Sequence, residues 1–248
     1  MSSLAARSAR VAFERLLETD APALRATLPT AFADAAEAWV DVLLAANQRL
    51  NLTRIVEPDA IARLHLLDAV AALPLLDAMA PRRCLDLGSG AGVPGLVLAL
   101  ARPDTAWVLV DSVRKKADAL ASFVAALGMP NVEVLAERAE ILGRDPAQRE
   151  RYDLITARAC AALPVLAEYA MPLTRVGGTM LAWKGALPDD ELRAGGLVSA
   201  QLGGGEPVVE PSGVAALGDH RFVLVHKLGQ TLSRYPRRPG EPSRRPLG

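Results

Sequence analysis

Apolar residues recur at helical intervals through the first third of the chain. Phe32, Ala35, Ala36, Trp39, Val42, Leu43, Ala46 and Leu50 fall on one stripe, with Asp34, Glu37 and Asp41 off it. That spacing predicts an amphipathic helix. A second helix is predicted from Asp59, as N-cap, to Leu73, where Pro74 would stop it. From residue 82 the pattern becomes short apolar runs, predicted as strands over 82–87, 106–111, 132–136, 152–156, 178–183 and 222–225. Helical patterns lie between them, notably 113–127 with Gly128 as its stop. Strands alternating with helices predict an α/β fold, a mostly parallel sheet with helices on both faces. The expected division is a helical N-terminal extension (1–80), a core (81–228) and a C-terminal arm (229–248). Residues 195–218 are glycine-rich and give no clear element.

The first predicted strand ends in Asp86-Leu-Gly-Ser-Gly-Ala-Gly-Val-Pro-Gly95, followed by a second apolar run, Leu96 to Leu100. Strand, tight glycine turn and helix let a ligand approach bare backbone at the carboxyl end of a strand. Pro94 suits the first helical turn. Gly90-x-Gly92-x-x-Gly95 satisfies the dinucleotide pattern, and Asp111 ends the next strand where an acid could hold ribose hydroxyls. NAD and S-adenosylmethionine (SAM) both fit that spacing. Asp86 favours SAM: a carboxylate inside the turn can accept loop N–H groups and complement a sulfonium, whereas it would repel a pyrophosphate.

The chain has 248 residues, 51% hydrophobic and 23% charged, enough for a full core. No apolar run reaches membrane-spanning length and no signal-peptide stretch opens the chain, so a cytoplasmic protein is expected. Two cysteines, Cys84 and Cys160, read as reduced, packed thiols, and no cluster has metal-ligand spacing. Net charge is zero, which argues against a generic RNA-coating protein. The tail is nevertheless basic, with Arg234, Arg237, Arg238, Arg244 and Arg245 against Glu241. Its four prolines exclude a continuous helix. It reads equally as a disordered solubilising end or as an extended arm contacting phosphates.

Several blocks together carry a resemblance. Asn51-Leu-Thr-Arg-Ile, His65-Leu-Leu-Asp68, the 86–95 loop, Asp111-Ser-Val-Arg-Lys-Lys, Ala157-Arg-Ala159, Trp183-Lys-Gly185 and the Tyr235-Pro-Arg-Arg tail occur in order. Over residues 32–248 the chain resembles the glucose-inhibited division protein B family, the ribosomal RNA small subunit methyltransferases G. The resemblance implies a Rossmann-like SAM-dependent methyltransferase acting on N7 of one guanine in 16S rRNA near the decoding centre, with rRNA or the small subunit as partner. It is expected to act as a monomer. It also implies a cofactor site built from Asp86, Gly88, Gly90, Val93, Asp111, Ser112, Ala139, Glu140 and Arg158. Within it, Gly88 and Val93 line the cofactor, Ala139 and Glu140 flank the adenine, and Arg158 lies beside the methionine end. The family's basic residue before the His is Leu64 here, with Arg63 one place earlier.

Guanine N7 carries an in-plane lone pair and no proton, so methyl transfer to it needs positioning and no general base. Arg158, ending a strand-like run, is expected to pair with the SAM carboxylate or an RNA phosphate. Lys184 is a second positioning candidate, for phosphate or guanine. His65 and Asp68, three apart on one helix face, are expected to bond each other and clamp the extension to the core. Arg114, Lys115 and Lys116 open a helix against its dipole, to be compensated by Asp118 or by nucleic-acid phosphate. Alternatives are a SAM enzyme acting on another RNA or a small molecule, a non-catalytic SAM- or nucleotide-binding regulator, and, last, an NAD oxidoreductase.

Overall fold

Strand parity divides the core in two. In a computed structural model, which describes residues 2–247, a seven-stranded sheet runs β3-β2-β1-β4-β5-β7-β6. The strands are β1 (Arg83–Leu87), β2 (Ala106–Val110), β3 (Val132–Leu135), β4 (Tyr152–Arg158), β5 (Thr174–Lys184), β6 (Val208–Pro211) and β7 (Arg221–His226). The first five pair in parallel, and β7 lies antiparallel between β5 and β6. Cys84, Trp107, Leu109, Leu154, Leu181 and Trp183 point into one apolar cluster. Their neighbours Leu85, Leu87, Val108, Val110, Ile155 and Met180 point into the other. Side chains alternate across a strand, so continuous apolar runs signal burial on both faces.

The first face is covered by α1 (Leu4–Thr19), α2 (Pro22–Thr27), α3 (Phe32–Leu50), α4 (Pro58–Ile61), α5 (Asp68–Val70) and α6 (Leu73–Met79), together with helices that follow β1 and β2. Those are α7 (Gly95–Ala101) and α8 (Arg114–Ala126). The second face carries α9 (Ala139–Leu142), α10 (Leu163–Ala170) and α11 (Asp189–Gln201), and α12 (Glu241–Arg244) packs against α10. Trp39 of the predicted stripe is fully buried, with Phe32, Ala36, Leu43 and Ala46 beside it.

Three expectations change. The helix predicted from Asp59 to Leu73 starts after Glu57, and residues Ala62–Leu67 wind as a π-helix between α4 and α5. Pro74 does not end a helix but lies in the first turn of α6, where its missing N–H costs nothing. Strand β6 falls in the ambiguous glycine-rich stretch; its pattern is weak because it is an edge strand with three of four residues exposed. No helix among the described residues is long and apolar enough to cross a membrane.

The tail is packed, not loose. Arg149 donates to the carbonyls of Thr231, Leu232 and Tyr235, and Tyr235 is buried with its hydroxyl accepting from Gln201.

Gly95 marks the tightest approach of helix to sheet. A Cβ placed there would lie 2.4 Å from Asp86 Cβ and 2.7 Å from Leu109 Cδ2. Overpacking of this kind costs about 1–3 kcal/mol or more. Gly95→Ala is therefore expected to lower the thermal midpoint by several degrees, read by circular dichroism; an unchanged midpoint would contradict the packing described.

Candidate cofactor and substrate site

Two cavities open at the carboxyl edge of the sheet, where the glycine loop and the segments after β2, β4 and β5 converge. The first, about 210 Å³, is lined by Gly88, Asp111, Ser112, Ala139, Glu140, Cys160 and Tyr169 among others. The second, about 480 Å³, is lined by Leu64, Asp68, Arg158, Ala159, Trp183, Lys184 and His220 among others. They meet at the end of β4: Arg158 and Ala159 line the second and Cys160 the first. Ligands of open α/β sheets bind outside this edge of the strands.

The loop is braced chiefly by Asp111, with Ser89 Oγ donating to the Asp86 carbonyl at 3.0 Å. One Asp111 oxygen accepts from Gly90 N–H at 3.1 Å and the other from Val113 N–H at 2.8 Å. Gly88 adopts φ 70° and Gly90 φ 53°, conformations that glycine takes without penalty. A Cβ at Gly88 would also sit 3.1 Å from Cys160 Sγ, narrowing the cavity wall.

Asp86 shares strand parity with Cys84, so its side chain turns towards α7, away from the cavity lining. It is fully buried; Oδ1 accepts from Thr156 Oγ1 at 2.7 Å, while Oδ2 has no hydrogen-bond partner. Burial pushes its pKa up to about 6, opposed by hydrogen bonding to Thr156. Val93 likewise packs into the core rather than the cavity, and Gly90 stands in the loop outside the lining. Thr156 was missed from sequence, although it lies directly opposite Asp86 in the β1–β4 register.

Arg158 organises the second cavity. Its Nη1 donates to Asp68 Oδ2 at 2.8 Å and also to the Leu64 carbonyl, and its Nη2 donates to His65 Nδ1 at 3.2 Å. His65 and Asp68 thus meet through the guanidinium and not each other, because the π-wound turn presents both to the end of β4. Asp68, 3% exposed at its side chain, takes a second bond from His220 Nδ1 at 2.8 Å. Its backbone carbonyl accepts from Trp183 Nε1 at 2.9 Å. His220 carries no local sequence signal; only the return of the chain before β7 brings it here.

Thr53 ties in the Asn-Leu-Thr block. Its Oγ1 lies 3.2 Å from His65 Nε2 and accepts from Ile55 N–H, while Asn47 bonds both its backbone groups. His65 Nδ1 stands 3.2 Å from both Arg158 Nη2 and the Leu64 carbonyl, and accepting from the guanidinium goes with the Nε2–H tautomer.

Lys184 is not a free strand end. Its Nζ pairs with Glu191 at 2.7 Å and donates to the Ala161 carbonyl at 3.1 Å, holding the segment after β4 against α11. Cys160 is exposed rather than packed, although protein atoms and the nearby Asp86 and Asp111 carboxylates raise its thiol pKa to about 11. Arg114 and Lys115 are exposed at the start of α8, and no ion pair reaches them or Asp118 among the described residues.

The buried His65 ring gives the site a pH signature. Burial first, then the Arg158 charge, hold its pKa down to about 4, against 6.5 ordinarily. The unfolded ring therefore binds a proton in a range where the folded ring does not, and stability falls as pH drops from 6.5 towards 4. Asp86, raised to about 6, works in the opposite direction over an overlapping range. The advantage of wild type over His65→Gln in unfolding free energy should shrink by about 3 kcal/mol between about pH 7 and pH 4. Urea titrations of both proteins at each pH measure this; parallel pH dependences would refute it.

Comparison with known proteins agrees with this architecture. The rRNA small subunit methyltransferase G (GidB) family profile matches residues 33–204. A ribosomal RNA small subunit methyltransferase G of Roseiflexus castenholzii is 44% identical over 205 residues, covering 83% of this chain and 87% of that one. One of the same name from Deinococcus deserti is 43% identical over 202 residues, covering 81% and 83%. Among solved structures, an O-methyltransferase of Bacillus cereus in complex with SAH superposes with a TM-score of 0.53 at 18% identity, covering 77% of this chain and 91% of that one. An O-methyltransferase of Streptomyces achromogenes in complex with SAM gives 0.51, also at 18% identity, covering 77% and 90%. The solved structures speak for the fold, a Rossmann-like methyltransferase sheet, and the sequence relatives for the lineage. This chain belongs to the rRNA small subunit methyltransferase G family.

Proposed function

We propose that the protein transfers a methyl group from SAM to N7 of a guanine in 16S rRNA near the decoding centre, with the small subunit or its RNA as partner. The observation that carries this is the pair of cavities meeting at residues 158–160, one with ribose- and adenine-binding chemistry, the other open beside it. The residues present fit the cofactor. Asp111 stands at the end of β2 for the ribose hydroxyls, Ala139 and Glu140 flank a slot for the adenine, and Gly88 leaves backbone uncovered between them. The unpartnered Asp86 oxygen leaves negative charge behind the loop, which favours a cationic ligand over a pyrophosphate.

Bound SAM supplies an electrophilic methyl group. The chain's residues have to hold the acceptor base in line and exclude water. Arg158 and Lys184 act here as positioning residues: both are already paired with carboxylates, and both fix the walls of the second cavity. A neutral, buried His65 and a protonated Cys160 thiol are consistent with an acceptor that needs no proton removed. Arg54 and Arg63 are exposed next to the lining residues Ile55 and Leu64, and with Arg114 and Lys115 they are the proposed phosphate contacts.

The deciding experiment is nucleoside mapping by mass spectrometry of 16S rRNA treated with protein and SAM. A single N7-methylguanosine is expected, and its absence from both free rRNA and subunits would refute the reading. Asp111→Ala is expected to raise the KM for SAM about ten-fold or more, since hydrogen bonds to a charged group are worth about 1.5–3 kcal/mol. For RNA, Arg54→Ala and Arg63→Ala should each flatten the plot of log affinity against log salt by about one unit of slope. Slopes equal to wild type would remove those two residues from the interface.

A further inference from the structure

Two buried carboxylates, one bordering the first cavity, take their donors from the C-terminal tail. Glu168 of α10 is completely buried. Its Oε1 accepts from the backbone N–H of Arg237 at 2.8 Å and from Arg237 Nε at 2.9 Å, and its Oε2 accepts from Nη2 at 2.6 Å. Glu140 of α9, 3% exposed, lines the cavity, and its Oε1 accepts from Gly240 N–H at 2.7 Å. Gly240 N–H is the one hydrogen-bond donor to that carboxylate among the described residues. The tail also presses on the end of α9, where a Cβ at Gly143 would come within 2.9 Å of Pro236 Cγ.

We infer that residues 237–240 are part of the cofactor site, positioning the Glu140 carboxylate to accept from the exocyclic amine of an adenosine in the first cavity. A buried carboxylate must be met by donors, or its charge costs several kcal/mol. The bidentate Arg237–Glu168 pair anchors the tail to α10, and three residues further on Gly240 reaches Glu140. The basic tail therefore turns one of its arginines inward, to the donor side of the reaction, whatever the others do. Tyr169, next to Glu168, lines the same cavity, so α10 joins the anchor to the wall. Arg237 is a positioning residue, acting through Gly240 and Glu140.

This inference rests on the first cavity being the adenosine end of the SAM site, and the test separates the two. SAM and adenosine would be titrated calorimetrically into wild type, Arg237→Ala, Arg237→Lys, Glu140→Gln, the Glu140→Gln/Arg237→Ala double variant and Arg245→Ala. Arg237→Ala should weaken both ligands by the same factor, roughly ten-fold, with Arg237→Lys between it and wild type because an ammonium keeps the charge but not the fork. The losses in Glu140→Gln and Arg237→Ala should be non-additive, as for residues acting in one network. Exposed Arg245, without a carboxylate partner among the described residues, should leave both affinities unchanged on replacement. Melting curves identify folded variants, and if Arg237→Ala does not fold, Arg237→Lys decides. Wild-type affinity in a folded Arg237 variant, or additive losses, overturns the inference alone. Failure of wild type to bind SAM overturns the site reading and the inference with it.

Discussion

The Arg158–Asp68 ion pair is the contact on which the site's geometry rests. It joins the last residue of a central strand to a turn of the N-terminal helices, across 90 residues of chain. Asp68 is almost fully buried, and removing one partner of such a pair typically costs about 3–5 kcal/mol because the other charge is left uncompensated. Around it the bonds are shared: His220 takes the second Asp68 oxygen, Trp183 the backbone carbonyl, and His65 links the guanidinium to Thr53. The three sequence blocks containing Thr53, His65 to Asp68 and Arg158 are one network in space. That network closes the second cavity on the side facing the helices.

The first cavity depends on a different constraint. A glycine loop with three positive-φ positions has no conformational preference of its own, so something must hold it. Asp111 does so by accepting from Gly90 and Val113. Its position at the end of β2 then makes one residue both loop brace and candidate ribose acceptor. Asp86 is turned the other way by the pleat and shares a hydrogen bond with Thr156, under Gly95. Its carboxylate lies behind the loop, outside the cavity lining. Tail contacts to Glu168 and Glu140 complete the enclosure from the far face of the sheet.

Alternation of apolar runs and helical patches was enough to read six of the seven strands, the parallel sheet and its coverage on both faces, because burial on two faces leaves continuous Val, Leu and Ile runs. The glycine loop and the acid after the second strand were legible from residue type at short spacing: positive-φ backbone calls for glycine, and Asp111 stands where it accepts from that loop. Gly88, Asp111, Ser112, Ala139 and Glu140 all line one cavity. Edge strand β6 was not legible, since an exposed edge carries no burial pattern.

What the linear order of residues determined was therefore everything encoded at short range: periodicity, the turn and the acids at strand ends. Tertiary structure alone decided which way each charged side chain faced. Strand parity turned Asp86 into the core, and Arg158 was drawn into a carboxylate pair supplied by a distant helix, whereas Lys184 took Glu191 from the helix that follows its own strand. A tail whose composition pointed outward sent Arg237 inward. The physical reason is that a charge is satisfied by whichever opposite charge or donor the fold brings within about 3 Å, and partners 69 to 152 residues away leave no trace in local spacing.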